Sequence, residues 1–168
     1  MNQNRKFINN RVKVIKRNCF FVKFVLFLSN PNKRGGGTMD KEKLIYVVDD
    51  DPFILKLVEK SLEKEGYRVR LFEYGEECLQ ALDKEMPDLI VLDYLFSSRE
   101  KEVMNGKEVF SNIRERFPSM PVIMLSGQDS GGVVLELARL GMNDYIIKDS
   151  ALTRNLLESI KDILEPVE

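Results

Sequence analysis

The sequence predicts an α/β fold: a doubly wound, five-stranded parallel sheet with helices on both faces, in three α/β/α layers. Two observations carry this. Strand-like and helix-like patterns alternate five times between Leu44 and the C-terminus. Three of the strand-like stretches are near-continuous apolar runs, the pattern of strands covered on both faces. The length of 168 residues suits one ordinary domain.

The elements follow in order. "LIYVV" (44–48) is the first strand and runs into Asp49, Asp50, Asp51 and Pro52. Asp51 reads as a helix N-cap with proline at the first helical position. Ile54, Leu55, Val58 and Leu62 form the apolar stripe of the first helix, and Gly66 stops it. "YRVRLF" (67–72) is the second strand, followed by a helix striped with Cys78, Leu79 and Leu82. "DLIVLD" (88–93) is the third. Its helix carries Val109, Phe110, Ile113 and Phe117 and stops before Pro118. "PVIMLS" (121–126) is the fourth, with Val134, Leu137, Ala138 and Leu140 on its helix and Gly141 as the stop. "DYIIK" (144–148) is the fifth, and Leu152, Leu156, Ile160 and Ile163 mark the last helix.

Doubly wound sheets bind ligands beyond the carboxyl ends of their strands. Those ends carry Asp49, Asp50 and Asp51, then Asp93, then Ser126 before Gly127, then Lys148. The second strand ends in Phe72 and Glu73 and falls outside this set. Each residue alone has a structural reading: a cap, a turn residue, a solvated amine. Acid, acid, hydroxyl and amine at one rim share one chemistry, phosphoryl transfer to a carboxylate. Crowded carboxylates are stable as anions around a hard divalent cation such as Mg²⁺. The cation neutralises an incoming phosphoryl group. A carboxylate nucleophile makes an acyl phosphate. Lys148 and the Ser126 hydroxyl can hold the remaining oxygens.

Composition narrows the alternatives. Residues 1–38 carry nine Lys/Arg and no acid, whereas residues 39–168 carry the other 17 and all 27 Asp/Glu, a net of −10. A nucleic-acid-binding surface is not expected on so acidic a body. Histidine is absent, which excludes His–metal sites, Ser–His catalysis and a phosphohistidine of the chain's own. Cys19 and Cys78 fall one in each part and suggest no disulfide framework, so the reducing cytoplasm is the default compartment. "CFFVKFVLFL" (19–28) is too short to span a bilayer. The glycines before Met39 are compatible with a ribosome-binding sequence ahead of a start codon. Residues 1–38 are therefore expected to be disordered or not translated. A membrane role is expected only if they are present and act as an anchor.

"VVDDDP", "PDLIVLD", "NG" (105–106), "PVIMLSG" and "DYIIK" stand in an order and spacing that resembles a bacterial response-regulator receiver domain of the stand-alone, chemotaxis-regulator-like kind. The resemblance covers residues 42–165 of the expected domain 39–168. It implies a flavodoxin-like strand order, 2-1-3-4-5. It implies that Asp93 accepts a phosphoryl group from a sensor histidine kinase or a histidine phosphotransfer protein. Asp50, Asp93 and the backbone carbonyl of Leu95 would hold Mg²⁺ (or Mn²⁺), with Asp49 bound directly or through water. Ser126 would be the switch hydroxyl, Lys148 the phosphate-binding lysine and Tyr145 the switch aromatic. A protein target would engage the fourth helix and fifth strand. Leu95 and Gln128, two residues after the phosphoacceptor and the switch hydroxyl, would flank the path of hydrolytic water. Such a protein is a signalling phosphoacceptor, catalysing at most its own phosphorylation and slow dephosphorylation.

The sequence departs from the family pattern at three places. The loop 96–104 is enlarged and charged and lacks the usual proline. Asp149 replaces the proline that commonly follows the lysine, so the peptide is expected to be trans, since a cis bond before a non-proline costs ~3 kcal/mol. No output domain is expected after the fifth helix. A phosphate-independent docking module is the alternative function. A haloacid-dehalogenase-like phosphatase is disfavoured because it needs an acid two residues after its nucleophile, where Leu95 stands.

Overall fold

The computed structural model describes residues 11–13, 42–96, 103–127 and 131–165. The strands are β1 (Arg11–Lys13), β2 (Leu44–Val48), β3 (Arg68–Phe72), β4 (Leu89–Asp93), β5 (Val122–Ser126) and β6 (Asp144–Ile147). The helices are α1 (Pro52–Lys64), α2 (Gly75–Ala81), α3 (Gly106–Arg116), α4 (Gly131–Arg139) and α5 (Leu152–Leu164). Every strand expected between Leu44 and Lys148 is present, with ends within one residue.

Five parallel strands stand in the order β3-β2-β4-β5-β6, the expected 2-1-3-4-5 arrangement of the repeating βα units. A sixth strand lies outside that set. β1 pairs antiparallel with β6, with Arg11 opposite Ile146, Val12 opposite Tyr145 and Lys13 opposite Asp144. The sequence pattern assigned no strand to the N-terminal part. The rest of residues 1–38 lies outside the described residues, as do Gln128 and positions 97–102 of the enlarged loop.

Successive strand residues point to opposite faces, so the apolar runs feed two cores. Tyr46, Val48, Ile90, Leu92, Met124 and Tyr145 pack with Val109, Phe110 and Ile113 of α3 and Val134 and Leu137 of α4. Ile45, Val47, Val91, Ile123 and Ile146 pack with Leu55, Val58 and Leu62 of α1 and Leu152, Leu156 and Ile160 of α5. Each buried aliphatic side chain contributes ~1.5–3 kcal/mol. Asp51 caps α1 as expected, accepting 2.8 Å from the Phe53 amide. Gly66 and Gly141 take φ of 85° and 92° after α1 and α4, the left-handed turn that glycine permits. One stripe residue is corrected. Leu140 is exposed, because α4 ends at Arg139 and the turn at Gly141 sends Met142 into the core instead.

Candidate functional site

Strand register assembles the site. Val48 lies opposite Leu92, so Asp49 and Asp93 follow side by side at the ends of β2 and β4. Asp93 lies opposite Leu125, which brings Ser126 one step beyond. Ser126 lies opposite Ile147, which brings Lys148 one step beyond that. The Lys148 amide donates 2.8 Å to the Ser126 carbonyl and holds the last step in place. The sheet thus delivers the predicted acids, hydroxyl and amine to one rim.

Lys148 stands between two buried carboxylates. Its Nζ is 2.7 Å from Asp49 Oδ2 and 2.9 Å from Asp93 Oδ1. Asp49 is 0% exposed and Asp93 2%. Asp49 Oδ1 accepts 3.0 Å from the Asp51 amide, which turns the chain back over the strand end. Asp49 Oδ2 has no hydrogen bond of good geometry besides its short ion pair with Lys148. The Leu95 amide faces the Asp93 carboxylate and favours its ionised form. Asp50 is half-buried.

Burial dominates the electrostatics. It pushes Asp93 up to about 6, with Lys148 opposing and the neighbouring Asp49 charge adding to the rise. Burial likewise raises Asp49, again against the pull of Lys148. On Lys148, burial works to lower the affinity for the proton, but its hydrogen bond to Asp49 and the charges of Asp93 and Asp49 outweigh it and the net shift is upward. Two carboxylates and one ammonium leave the pocket short of positive charge.

The residues fit a divalent cation. Asp49, Asp50 and Asp93 each offer an oxygen, and these atoms lie within 4.8 Å of one another. An all-oxygen donor set suits a hard ion, and the under-bonded Asp49 Oδ2 is a lone pair aimed at nothing better than one amine. Asp51, the third acid of the run, faces away and caps α1.

The neighbouring elements hold Asp93 in place. Asn105 caps α3 through a reciprocal capping box with Glu108. A Cβ on Gly106 would collide with the Asp93 carbonyl oxygen and the Tyr94 backbone, so only glycine lets α3 start there. The Tyr94 amide donates 2.8 Å to the Leu125 carbonyl. Tyr94 and Phe96 pack on the core, whereas the Leu95 side chain between them is 52% exposed. Ser126 is buried, and Tyr145 is 1% exposed with its ring already among the core residues of the α3–α4 face. The Lys148–Asp149 peptide is trans, as expected.

The roles of two residues escaped the sequence reading. Glu76, in the first turn of α2, accepts 2.7 Å from the Met104 amide and fixes the far end of the enlarged loop. Asp149 accepts 2.8 Å from the Ala151 amide and shapes the turn into α5. An acid in a helix's first turn signals dipole compensation and gives no hint of a distant loop amide. Asp two residues before an amide partner is an Asx-turn signal that was there to be read.

The comparisons with known proteins agree with this geometry. The family model of the response regulator receiver domain matches residues 45–161. The alkaline phosphatase synthesis transcriptional regulatory protein PhoP of Bacillus subtilis (strain 168) is 34% identical over 126 residues, 75% of this chain and 50% of that protein. The chain thus spans about half the length of that relative. A CheY-like response regulator receiver domain protein from Methanospirillum hungatei JF-1 superposes with a TM-score of 0.66 at 31% identity, covering 74% of this chain and 95% of that one. The BeF3-activated DrrB receiver domain gives 0.64 at 33% identity, covering 74% and 99%. No helix among the described residues is long and apolar enough to cross a membrane. With the family model spanning most of the chain, this protein belongs to the receiver domains of two-component response regulators, a family of signalling phosphoacceptors.

Proposed function

We propose that Asp93 is the phosphoacceptor and that the chain relays a phosphoryl group from a sensor histidine kinase or a histidine phosphotransfer protein to a change in affinity for a protein target. The observation that carries this reading is Lys148, held between Asp49 and Asp93 at 2.7 and 2.9 Å. An amine so placed can follow the oxygens of a phosphoryl group arriving on Asp93.

At neutral pH an acid with a pKa of about 6 is mostly ionised, so the Asp93 carboxylate is available as nucleophile. Its oxygen forms a bond to phosphorus while the phosphorus–nitrogen bond to the donor imidazole breaks, and the imidazole leaves with a proton. Asp49, Asp50, Asp93 and the Leu95 carbonyl would hold Mg²⁺ (or Mn²⁺). The ion supplies positive charge against the phosphoryl oxygens. Lys148 orients one oxygen, and the Ser126 hydroxyl is one strand away to take another. The Leu95 amide, which faces the Asp93 carboxylate, is placed to donate to the acyl carboxyl. Phe53, 70% exposed at the second position of α1, follows Pro52, a wall of a groove lined by Leu55, Leu71 and Phe72 together with the charged Lys56, Glu73 and Glu77. An exposed aromatic beside a groove of mixed apolar and charged character suits docking of a protein donor.

Ser126 and Tyr145 couple the site to α4 and β6, the surface offered to a target. Tyr145 is inward in this structure, so the phosphorylated state would stabilise that position. Cytoplasmic placement follows from the role.

Intact mass after incubation with Mg²⁺ and a small phosphodonor tests the acceptor. One added phosphoryl group is expected, and none on Asp93→Asn; undiminished labelling of that variant would sink the assignment. Amide shifts on adding a phosphoryl mimic test the switch. Shifts at Tyr145 as well as the rim are expected, and shifts confined to the rim would refute it.

A further inference from the structure

We propose that Arg11–Lys13 is a strap: a segment of this chain that occupies the outer edge of β6 and must leave before any other partner can pair there. The pairing is antiparallel and in register across three residues, with Val12 opposite Tyr145.

The two edges of the parallel sheet differ in how they resist an added strand. β3 carries Arg68 and Arg70, which ion-pair with Glu85 at 3.2 and 3.6 Å. Arg70 also lies over the rings of Tyr46 and Phe72. Charge along an edge blunts strand addition. β6 has no such device. Its one charged residue, Asp144, is buried, and its carboxylate is turned inwards: Oδ2 accepts 2.6 Å from Ser159 of α5 and Oδ1 accepts 2.9 Å from the Tyr145 amide. The rest of the strand is Tyr145, Ile146 and Ile147, an apolar edge that serves as a template for an extended segment.

Charge selects the occupant. Residues 1–38 hold nine Lys/Arg and no acid, against a net of −10 on residues 39–168. The attraction is to the acidic body as a whole, since α5 beside β6 carries Arg154 and Lys161 as well as Glu158 and Asp162. A basic extended segment of the same chain is drawn to such a body, and salt screens the attraction. A three-residue strand is marginal alone, so the strap is displaceable. Lys148 follows β6 by one residue, which places the strap on the strand leading into the site. That link to signalling rests on the function proposed above; occupancy of the edge does not.

Hydrogen exchange of the full chain tests the strap, with the double variant Val12→Pro/Lys13→Pro as control. One of two adjacent amides in a strand faces its neighbour, so the pair of prolines breaks the ladder wherever its register falls. The outer-edge amides of Asp144–Ile147 are expected to exchange about tenfold faster in the variant. In the wild type, high salt should speed them and dilution should leave them unchanged. Phosphoryl labelling of Asp93 should be equal in both proteins, which separates this result from the phosphoacceptor assignment. Equal exchange in the two proteins would overturn the strap. So would protection that falls on dilution, which assigns the edge to a second copy. Intact mass of the protein from its native cell is the last check: a chain beginning at Met39 would also overturn it.

Discussion

Charge is drawn in from solvent at both ends of this sheet, fully at Asp49 and Asp93 and by half at Arg114, and the two places treat it differently. At the carboxyl ends of the strands, Asp49, Asp93 and Lys148 rely on one another. At the opposite end, Arg114 of α3 is served by neutral acceptors. Its guanidinium donates 2.6 Å to the Met120 carbonyl and 3.0 Å to the Gly141 carbonyl, and it lies 4.8 Å from the Phe110 ring centre. Burial lowers Arg114 to about 10, still far above neutrality. Each place also has one buried polar atom without a well-formed hydrogen bond, Asp49 Oδ2 and Arg114 Nε. A poorly bonded buried atom therefore does not mark a site by itself. What marks the rim is a buried carboxylate oxygen held by a single amine beside two more carboxylates, in a pocket whose charges do not balance. Arg114 ties the end of α3 to the turns before β5 and after α4, and its charge has nothing to react with.

The largest test of this contrast is a pair of substitutions. Asp93→Asn should abolish phosphoryl labelling and leave stability equal or higher, because it removes a crowded anion. Arg114→Ala should do the reverse. It strands the Met120 and Gly141 carbonyls and costs ~2–4 kcal/mol, while labelling per folded molecule is retained. Urea unfolding and intact mass on the same samples check both. Labelling lost in folded Arg114→Ala would break the contrast.

A smaller test is the pH dependence of stability without metal. Burial raises Asp93 to about 6, above its value in the unfolded chain. Between about pH 4 and 6 the folded protein therefore binds the proton more tightly than the unfolded one. Stability from this group is present at the acid end of that window and lost as pH rises through 6, by on the order of 2–3 kcal/mol. Asp93→Asn should flatten the difference, and excess Mg²⁺ should suppress it by favouring the ionised pair. Arg114 titrates outside this window, so Arg114→Ala should keep the wild-type slope. Thermal melts from pH 4 to 7 measure it; matching slopes in wild type and Asp93→Asn would contradict the buried-carboxylate account.

The fold was legible because period and punctuation agreed. Apolar runs at 44–48, 89–92 and 122–125 mark strands buried on both faces, and Pro52, Gly66, Pro118 and Gly141 mark helix ends. The acids, Ser126 and Lys148 were legible because a parallel sheet carries strand ends to one rim. Three features were not. Arg114 sits on a helix among other charges, and its acceptors are carbonyls, which carry no sequence signature. Glu76 meets a loop amide 28 residues away. β1 is three residues long, and its pairing depends on an edge that only the assembled sheet creates.

The two places also differ in what stands over them, and Leu95 offers the finest test of that. Half-buried Arg114 is flanked by Phe110 and two turns. Asp93, 2% exposed, lies at the rim, where the 52% exposed Leu95 stands two residues along with its own amide facing the carboxylate. An acyl phosphate there is lost when water attacks in line with the leaving carboxylate. The Leu95 side chain has no group to hydrogen-bond and position that water, and its neighbours Tyr94 and Phe96 are turned into the core, so it alone among the three flanks the opening. The phosphorylated protein should be long-lived, as suits a relay drained by a partner. Leu95→Asn supplies a donor and an acceptor at the rim and should hasten decay by about tenfold, equivalent to ~1.4 kcal/mol of barrier. Loss of the added mass from purified phosphoprotein follows the decay directly. Wild-type decay within seconds, or an unchanged rate in the variant, would show that Leu95 does not govern the approach of water.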